Sequence, residues 1–131
     1  MSSYPDDRFY SKSHEWIRVE GDTATIGITD HAQKELGDVV FVELPDLGEI
    51  FDEGQEFGTI ESVKAVSELF LPIAGEIVEV NKTLIDEPNA VNEDPHGDGW
   101  LVQVKVSSDG VLDGLMNAAA YEKFVEEEAK A

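Results

Sequence analysis

Glu56-Phe57-Gly58-Thr59-Ile60 and Val66-Ser67-Glu68-Leu69-Phe70-Leu71 are two β-prone runs joined by Glu61-Ser62-Val63-Lys64-Ala65 and closed by Pro72 and Gly75. Proline and glycine end strands because one lacks an N–H for the ladder and the other lacks a side chain to pack. Two such runs with a short connection make a hairpin, and Lys64 falls at or beside its tip. The alternation is imperfect and no Asn-Gly marks the turn, so the hairpin rests on composition and punctuation.

Outward from this hairpin, short β-type runs separated by Gly, Pro, Asp and Asn dominate from Glu15 to Val106, the spacing of a sandwich or barrel. Glu15 to Val19 and Thr23 to Ile28 alternate around Glu20-Gly21-Asp22, whose glycine and aspartate suit a tight turn. Thr29 or Asp30 caps a short helix near residues 30–36. Asp30 and Gln33 have capping-box spacing, and Gly37 is placed to end the helix in a left-handed conformation. Gly37-Asp38-Val39-Val40-Phe41-Val42 is echoed 38 residues later by Gly75-Glu76-Ile77-Val78-Glu79-Val80, which makes the two halves pseudo-equivalent.

After a strand from Trp100 to Val106, Leu112, Leu115, Met116, Tyr121, Phe124 and Val125 recur at roughly helical spacing. They predict a C-terminal helix with one face on the sheet. Its acidic end, Glu126 to Glu128, opposes the helix dipole, which predicts fraying and no function for that tail. The 131 residues suffice for a single, mostly β domain spanning 1–131, without disulfides or metal to hold it together.

Composition removes several classes of function. With no cysteine there is no disulfide framework, thiolate nucleophile or cysteine-based metal site, so any sulfur chemistry must be imported. A formal net charge of −20 opposes nucleic acid and anionic lipid by repulsion and favours basic-faced partners. There is no apolar run of about 18 residues. Met1 to Lys12 has neither a signal-peptide apolar segment nor an Arg-rich transit-peptide character, so a cytoplasmic location is expected. Such acidity also suits high salt, where screening relieves self-repulsion. Denaturant midpoints that do not rise from low to molar KCl would remove that expectation.

Catalytic patterns are absent. His14, His31 and His96 are scattered, without a local partner or a short paired spacing, and read as solvated or structural rather than catalytic or metal-ligating. The 29 acidic residues are mostly surface, and composition singles out no acid–base pair. Neither a Walker-type loop nor G-x-G-x-x-G occurs. Lys64 remains, one of seven lysines, between Val63 and Ala65 and flanked by Glu61 and Glu68. On the residues alone it is first a gatekeeper lysine that keeps a strand soluble.

The surrounding letters say more. Glu61-Ser62-Val63-Lys64-Ala65-Val66-Ser67-Glu68 with Pro72-Ile73-Ala74-Gly75-Glu76 resembles the lipoyl-lysine hairpin of glycine cleavage H proteins. Ser13-His14-Glu15-Trp16, Gly27 to Gln33, Leu36 to Pro45 and Val91 to Trp100 resemble the same family, so the likeness covers nearly the whole chain. Biotin carriers have methionines where Val63 and Ala65 stand, and lipoyl domains of oxo-acid dehydrogenases lack both terminal extensions.

The resemblance implies a lipoyl/biotinyl-domain-like barrel-sandwich hybrid of two quasi-repeated halves, with helices added. It implies lipoate on Lys64, attached as an amide by a lipoate ligase or octanoyltransferase. The implied role is non-catalytic: to carry an aminomethyl group from a pyridoxal-phosphate glycine decarboxylase to a folate-dependent aminomethyltransferase, and electrons to dihydrolipoamide dehydrogenase. Ser13, Glu15 and Glu68 are the implied cleft that stores the cationic aminomethyl arm. Two alternatives stay open: an H-like protein relaying lipoate to other carriers, and an unmodified acidic interaction domain.

Overall fold

In a computed structural model, described over residues 7–106 and 115–130, the chain folds into two packed antiparallel sheets. The larger sheet has the order β1-β2-β3-β9-β8-β5, with β1 Phe9–Tyr10, β2 Glu15–Glu20, β3 Thr23–Ile28, β5 Ile50–Phe51, β8 Gly75–Val80 and β9 Val102–Val106. The smaller has the order β4-β6-β7, with β4 Val39–Glu43, β6 Glu56–Ser62 and β7 Val66–Phe70. The expected mostly β sandwich with a C-terminal helix is present.

Alternation explains which faces meet. Ile17, Ile26, Ile77 and Val104 from the large sheet pack on Val42, Ile60 and Leu69 from the small one in one buried cluster. At about 1.5–3 kcal/mol for each fully buried side chain of this size, that contact is the dominant favourable term in holding the sheets together. The first hairpin is in register from Glu15↔Ile28 to Glu20↔Thr23.

The 38-residue echo has a structural counterpart. Opposite β6 the register of β4 shifts between Val39 and Phe41, and opposite β9 the register of β8 shifts between Ile77 and Glu79. Val39 and Ile77 are buried while Val40, Phe41, Val78 and Glu79 are exposed, so both strands bulge at the same point of the repeat.

Helix α1, Asp30–Leu36, starts where Thr29 accepts the Ala32 N–H and stops at Gly37, whose φ of 80° suits a residue without Cβ. Two short turns, α2 Thr83–Asp86 and α3 Ala90–Glu93, precede β9. Helix α4 runs Ala118–Lys130, starting later than the apolar spacing suggests. Leu112 lies outside the described residues, and Met116 pairs with Tyr10 as a β-bridge before the helix begins. One face of α4 buries Ala118 and Tyr121 against Tyr10 and Trp16, with the Tyr10 and Tyr121 rings stacked at 4.8 Å. Among the described residues no helix is long and apolar enough to cross a membrane.

Candidate functional site

Lys64 stands at the β6–β7 tip. Ser62 makes the turn: its buried hydroxyl donates to the Ala65 carbonyl at 3.1 Å and accepts the Ala65 and Lys64 N–H groups at 3.1 and 3.3 Å. A backbone bond from Ser62 N–H to Ala65 C=O at 2.7 Å closes the loop. Lys64 is exposed, and so are its apolar neighbours Val63 (70 %) and Val66 (63 %).

The tip is tied to the body through β4 and α1. The Val63 N–H donates to the Asp38 carbonyl at 3.0 Å, and the lysine stem lies over Gly37, where an added Cβ would sit 3.3 Å from Lys64 Cε. Asn92 braces this junction from α3. Its amide donates to the Gly37 carbonyl at 2.8 Å and to the Gln33 side chain at 3.0 Å, while its oxygen accepts the Val39 N–H at 2.8 Å.

Next to that junction, Glu35 and Leu36 of α1 line a cleft of about 380 Å³. Its other walls include Ser13, His14, Glu15, Ser67, Glu68 and Glu128, so the three residues expected from the resemblance, Ser13, Glu15 and Glu68, line one cleft. Glu68 reaches it from β7, one of the two edge strands of the small sheet.

Glu15 is only 2 % exposed. Its carboxylate accepts from Ser11 Oγ at 2.7 Å and from Ser13 Oγ, and makes a long 3.5 Å contact with the Phe70 N–H of the facing sheet. Burial pushes this carboxyl up from its ordinary value while the Ser13 and Ser11 hydroxyls pull it back. The buried carboxyl is thus held by hydroxyls and a backbone N–H.

The histidines are less scattered than their sequence positions suggest. Because Glu15 pairs with Ile28, His14 and Thr29 meet at the open end of the first hairpin, where Thr29 N–H donates to His14 C=O at 3.0 Å. His14 and His31 then lie with ring centroids 4.7 Å apart. His14 has φ 71°, a left-handed conformation that costs a non-glycine residue about 1–3 kcal/mol. Its Nδ1 is 2.7 Å from Tyr121 Oη, which is also 2.7 Å from Thr29 Oγ1. Burial pushes the His14 imidazole pKa down, the Glu128 charge opposing. Glu128 Oε2 lies 3.3 Å from His14 Nε2, so the acidic end of α4, read as a tail without function, forms part of the cleft wall.

His96 stands elsewhere, accepting the Asp30 N–H at 3.2 Å. Its loop is pinned by Trp16, whose Nε1–H donates to the Pro95 carbonyl at 2.8 Å, while Arg8 caps the indole at 4.5 Å and donates to the His96 carbonyl at 2.7 Å. Gly27 lets the indole lie flat on β3, since a Cβ there would be 2.7 Å from the ring.

A two-sheet sandwich that displays one lysine on a braced hairpin, beside a cleft walled by carboxylates and hydroxyls, is a prosthetic-group carrier. The chain belongs to the glycine cleavage H-protein family, whose model matches residues 8–128. It is 54 % identical over 129 residues to the glycine cleavage system H protein of Herpetosiphon aurantiacus, covering 98 % of each chain. It is 54 % identical over 128 residues to that of Rubrobacter xylanophilus, covering 98 % of this chain and 99 % of the relative. The crystal structure of a glycine cleavage system H protein from Mycobacterium marinum matches with a TM-score of 0.84 at 39 % identity, over 96 % of this chain and 99 % of that one. Members of this family are carriers and not themselves catalytic.

Proposed function

We propose that Lys64 bears lipoate as an amide and that the chain shuttles between the enzymes of glycine cleavage in the cytoplasm. It takes an aminomethyl group from a pyridoxal-phosphate glycine decarboxylase, delivers it to a folate-dependent aminomethyltransferase, and passes electrons to dihydrolipoamide dehydrogenase. A lipoate ligase or octanoyltransferase installs the group. The observation that carries this reading is the Ser62-braced tip, which offers the Lys64 amine to solvent while its stem lies over Gly37 beside the cleft.

Lipoate supplies what a chain without cysteine lacks, a dithiolane that accepts one-carbon fragments and two electrons. The protein's own residues do the rest. The turn presents one amine in a fixed frame, so a modifying enzyme selects it by position rather than basicity. Glu15, held by Ser11 and Ser13, meets the cationic amine of the cargo, and Glu68 adds negative charge at the mouth. Ile28, Leu36 and Leu69 line the remaining walls and keep bulk water off a hydrolysable group. Tethering raises the cargo's effective concentration at each enzyme.

Intact-mass spectrometry with peptide mapping of protein from its native host tests this. One lipoyl adduct on the Lys64 peptide is expected. An unmodified chain, in a host whose other lipoylated proteins are detected, would overturn it.

A further inference from the structure

One wall of the cleft is given no role in the proposed function: the side where the bend before β2, the first turn of α1 and the last turns of α4 converge. We propose that His14, His31 and Glu128 form a binding site for a divalent transition-metal ion of the zinc class. One ligating atom from each lies within 4.8 Å of the other two. His14 Nε2 and Glu128 Oε2 are already 3.3 Å apart, close to the separation of about 3.3 Å between two ligands of a tetrahedral ion with bonds of about 2.0–2.1 Å. The His31 ring lies 4.7 Å from that of His14 and needs only a side-chain adjustment to close the third edge.

A metal-ligating imidazole is normally held through its other nitrogen, and His14 meets that requirement. Its Nδ1 is bound to Tyr121 Oη, and Tyr121 is fully buried and tied to Thr29, so the support is rigid. This leaves Nε2 as the nitrogen directed at Glu128. Two imidazoles with a carboxylate favour zinc, cobalt, nickel or copper over magnesium and calcium, which prefer oxygen alone. Glu35 Oε1, 3.8 Å from His31 Nε2, is in reach to complete the set or to orient His31. The ligands come from three separate elements, so a bound ion would staple α4 across α1 and fix the cleft's outer wall.

The site belongs to the polypeptide and does not depend on Lys64 being modified, so it is testable on full-length protein without lipoate. A chain with 29 acidic side chains, most of them on its surface, binds cations loosely everywhere, and the experiment therefore turns on stoichiometry and metal type. Co²⁺ titrated into chelator-stripped protein should give a visible d–d spectrum that saturates at one equivalent. Zn²⁺ should displace it stoichiometrically, a large excess of Mg²⁺ should not, and the thermal midpoint should rise with Zn²⁺. His31→Gln, on a helix surface and outside the core, should keep the parent's circular dichroism and lose both responses. Glu128→Gln should weaken binding at least tenfold. Failure to saturate at one equivalent, displacement by Mg²⁺, or unchanged binding in both variants would overturn the proposal.

Discussion

The hairpin tip and the cleft next to it are joined through Gly37 yet are built on opposite terms. At the tip Val63, Lys64 and Val66 stand in water, and the turn is held by hydrogen bonds that close within residues 62–65. In the cleft Glu15 is out of water, His14 holds a left-handed backbone, and the bonds reach from Ser11 to Tyr121 across three elements. A surface to be entered by several enzymes has to be local and exposed. A cleft that stores a reactive cation, as proposed, has to be buried and held by the surrounding fold. Substitutions on the two sides should therefore separate modification from storage and from folding.

The sharpest separation is Lys64→Arg, which keeps the charge but removes the amine that forms the amide. Mass spectrometry should find no adduct anywhere on the chain, while the unfolding free energy from denaturant melts changes by no more than about 0.5 kcal/mol, as for other exposed substitutions. Modification of a different lysine would show that the tip does not select by position.

Glu15→Gln should leave modification intact and damage storage. A hydrogen bond to a charged group contributes about 1.5–3 kcal/mol, so losing the carboxylate should speed spontaneous release of the carried aminomethyl group by roughly tenfold or more. The same change has a definite pH signature. Burial raises the folded-state pKa of Glu15, so the folded chain holds that proton more tightly than the unfolded one. The contribution of Glu15 to stability is then fully present below the ordinary glutamate value and is lost as pH rises through the folded pKa. Glutamine cannot ionise, so denaturant midpoints in chelator should diverge in its favour above that window. Parallel profiles would mean that Glu15 is not strained by its burial.

Tyr121→Phe removes the hydroxyl shared by His14 Nδ1 and Thr29 Oγ1. It should cost about 1–3 kcal/mol of stability, because buried polar partners lose their satisfaction. The rate of modification at Lys64 should not change, since no hydrogen bond of the tip passes through Tyr121. A slowed modification would break the comparison by coupling the two regions.

The tip was readable from local letters because the hydrogen bonds that close its turn span residues 62–65, while its tie from Val63 to Asp38 was not. The Asp30–Leu36 helix was likewise announced by Thr29 and Gly37, and the bulges in β4 and β8 by a repeat visible at fixed spacing. Ser13, Glu15 and Glu68 came from resemblance, since nothing in their spacing tells which of 29 acids is buried. The approach of His14 to His31 could have been found by extending the first hairpin's register one step beyond Glu15↔Ile28, to His14 opposite Thr29, and then following the chain two residues into α1. Glu128 could not. Its place depends on how Tyr121 seats α4 on Tyr10 and against His14, a packing decision between segments more than 100 residues apart in sequence. Asn92 falls between these cases: its stretch carries the family likeness, but its role as a brace under Lys64 needs the three-dimensional contact with Gly37.

Ser62→Ala is the smallest of these changes and tests whether the tip's local frame matters at all. The substitution takes away one donor and one acceptor that serve Ala65 and Lys64, leaving Ser62 N–H to Ala65 C=O as the main tie. Net loss of a hydrogen bond costs about 1 kcal/mol. Most of that loss should appear as a looser turn rather than global unfolding, because Val63 N–H still reaches Asp38 and the sheet beyond Glu61 is untouched. A looser turn presents the lysine in more orientations, so lipoylation should slow severalfold through KM with kcat nearly unchanged. If kcat falls instead, the serine acts on the chemistry of amide formation within the enzyme complex. If neither changes, solvent exposure of Lys64 is sufficient and the braced geometry contributes nothing to its selection.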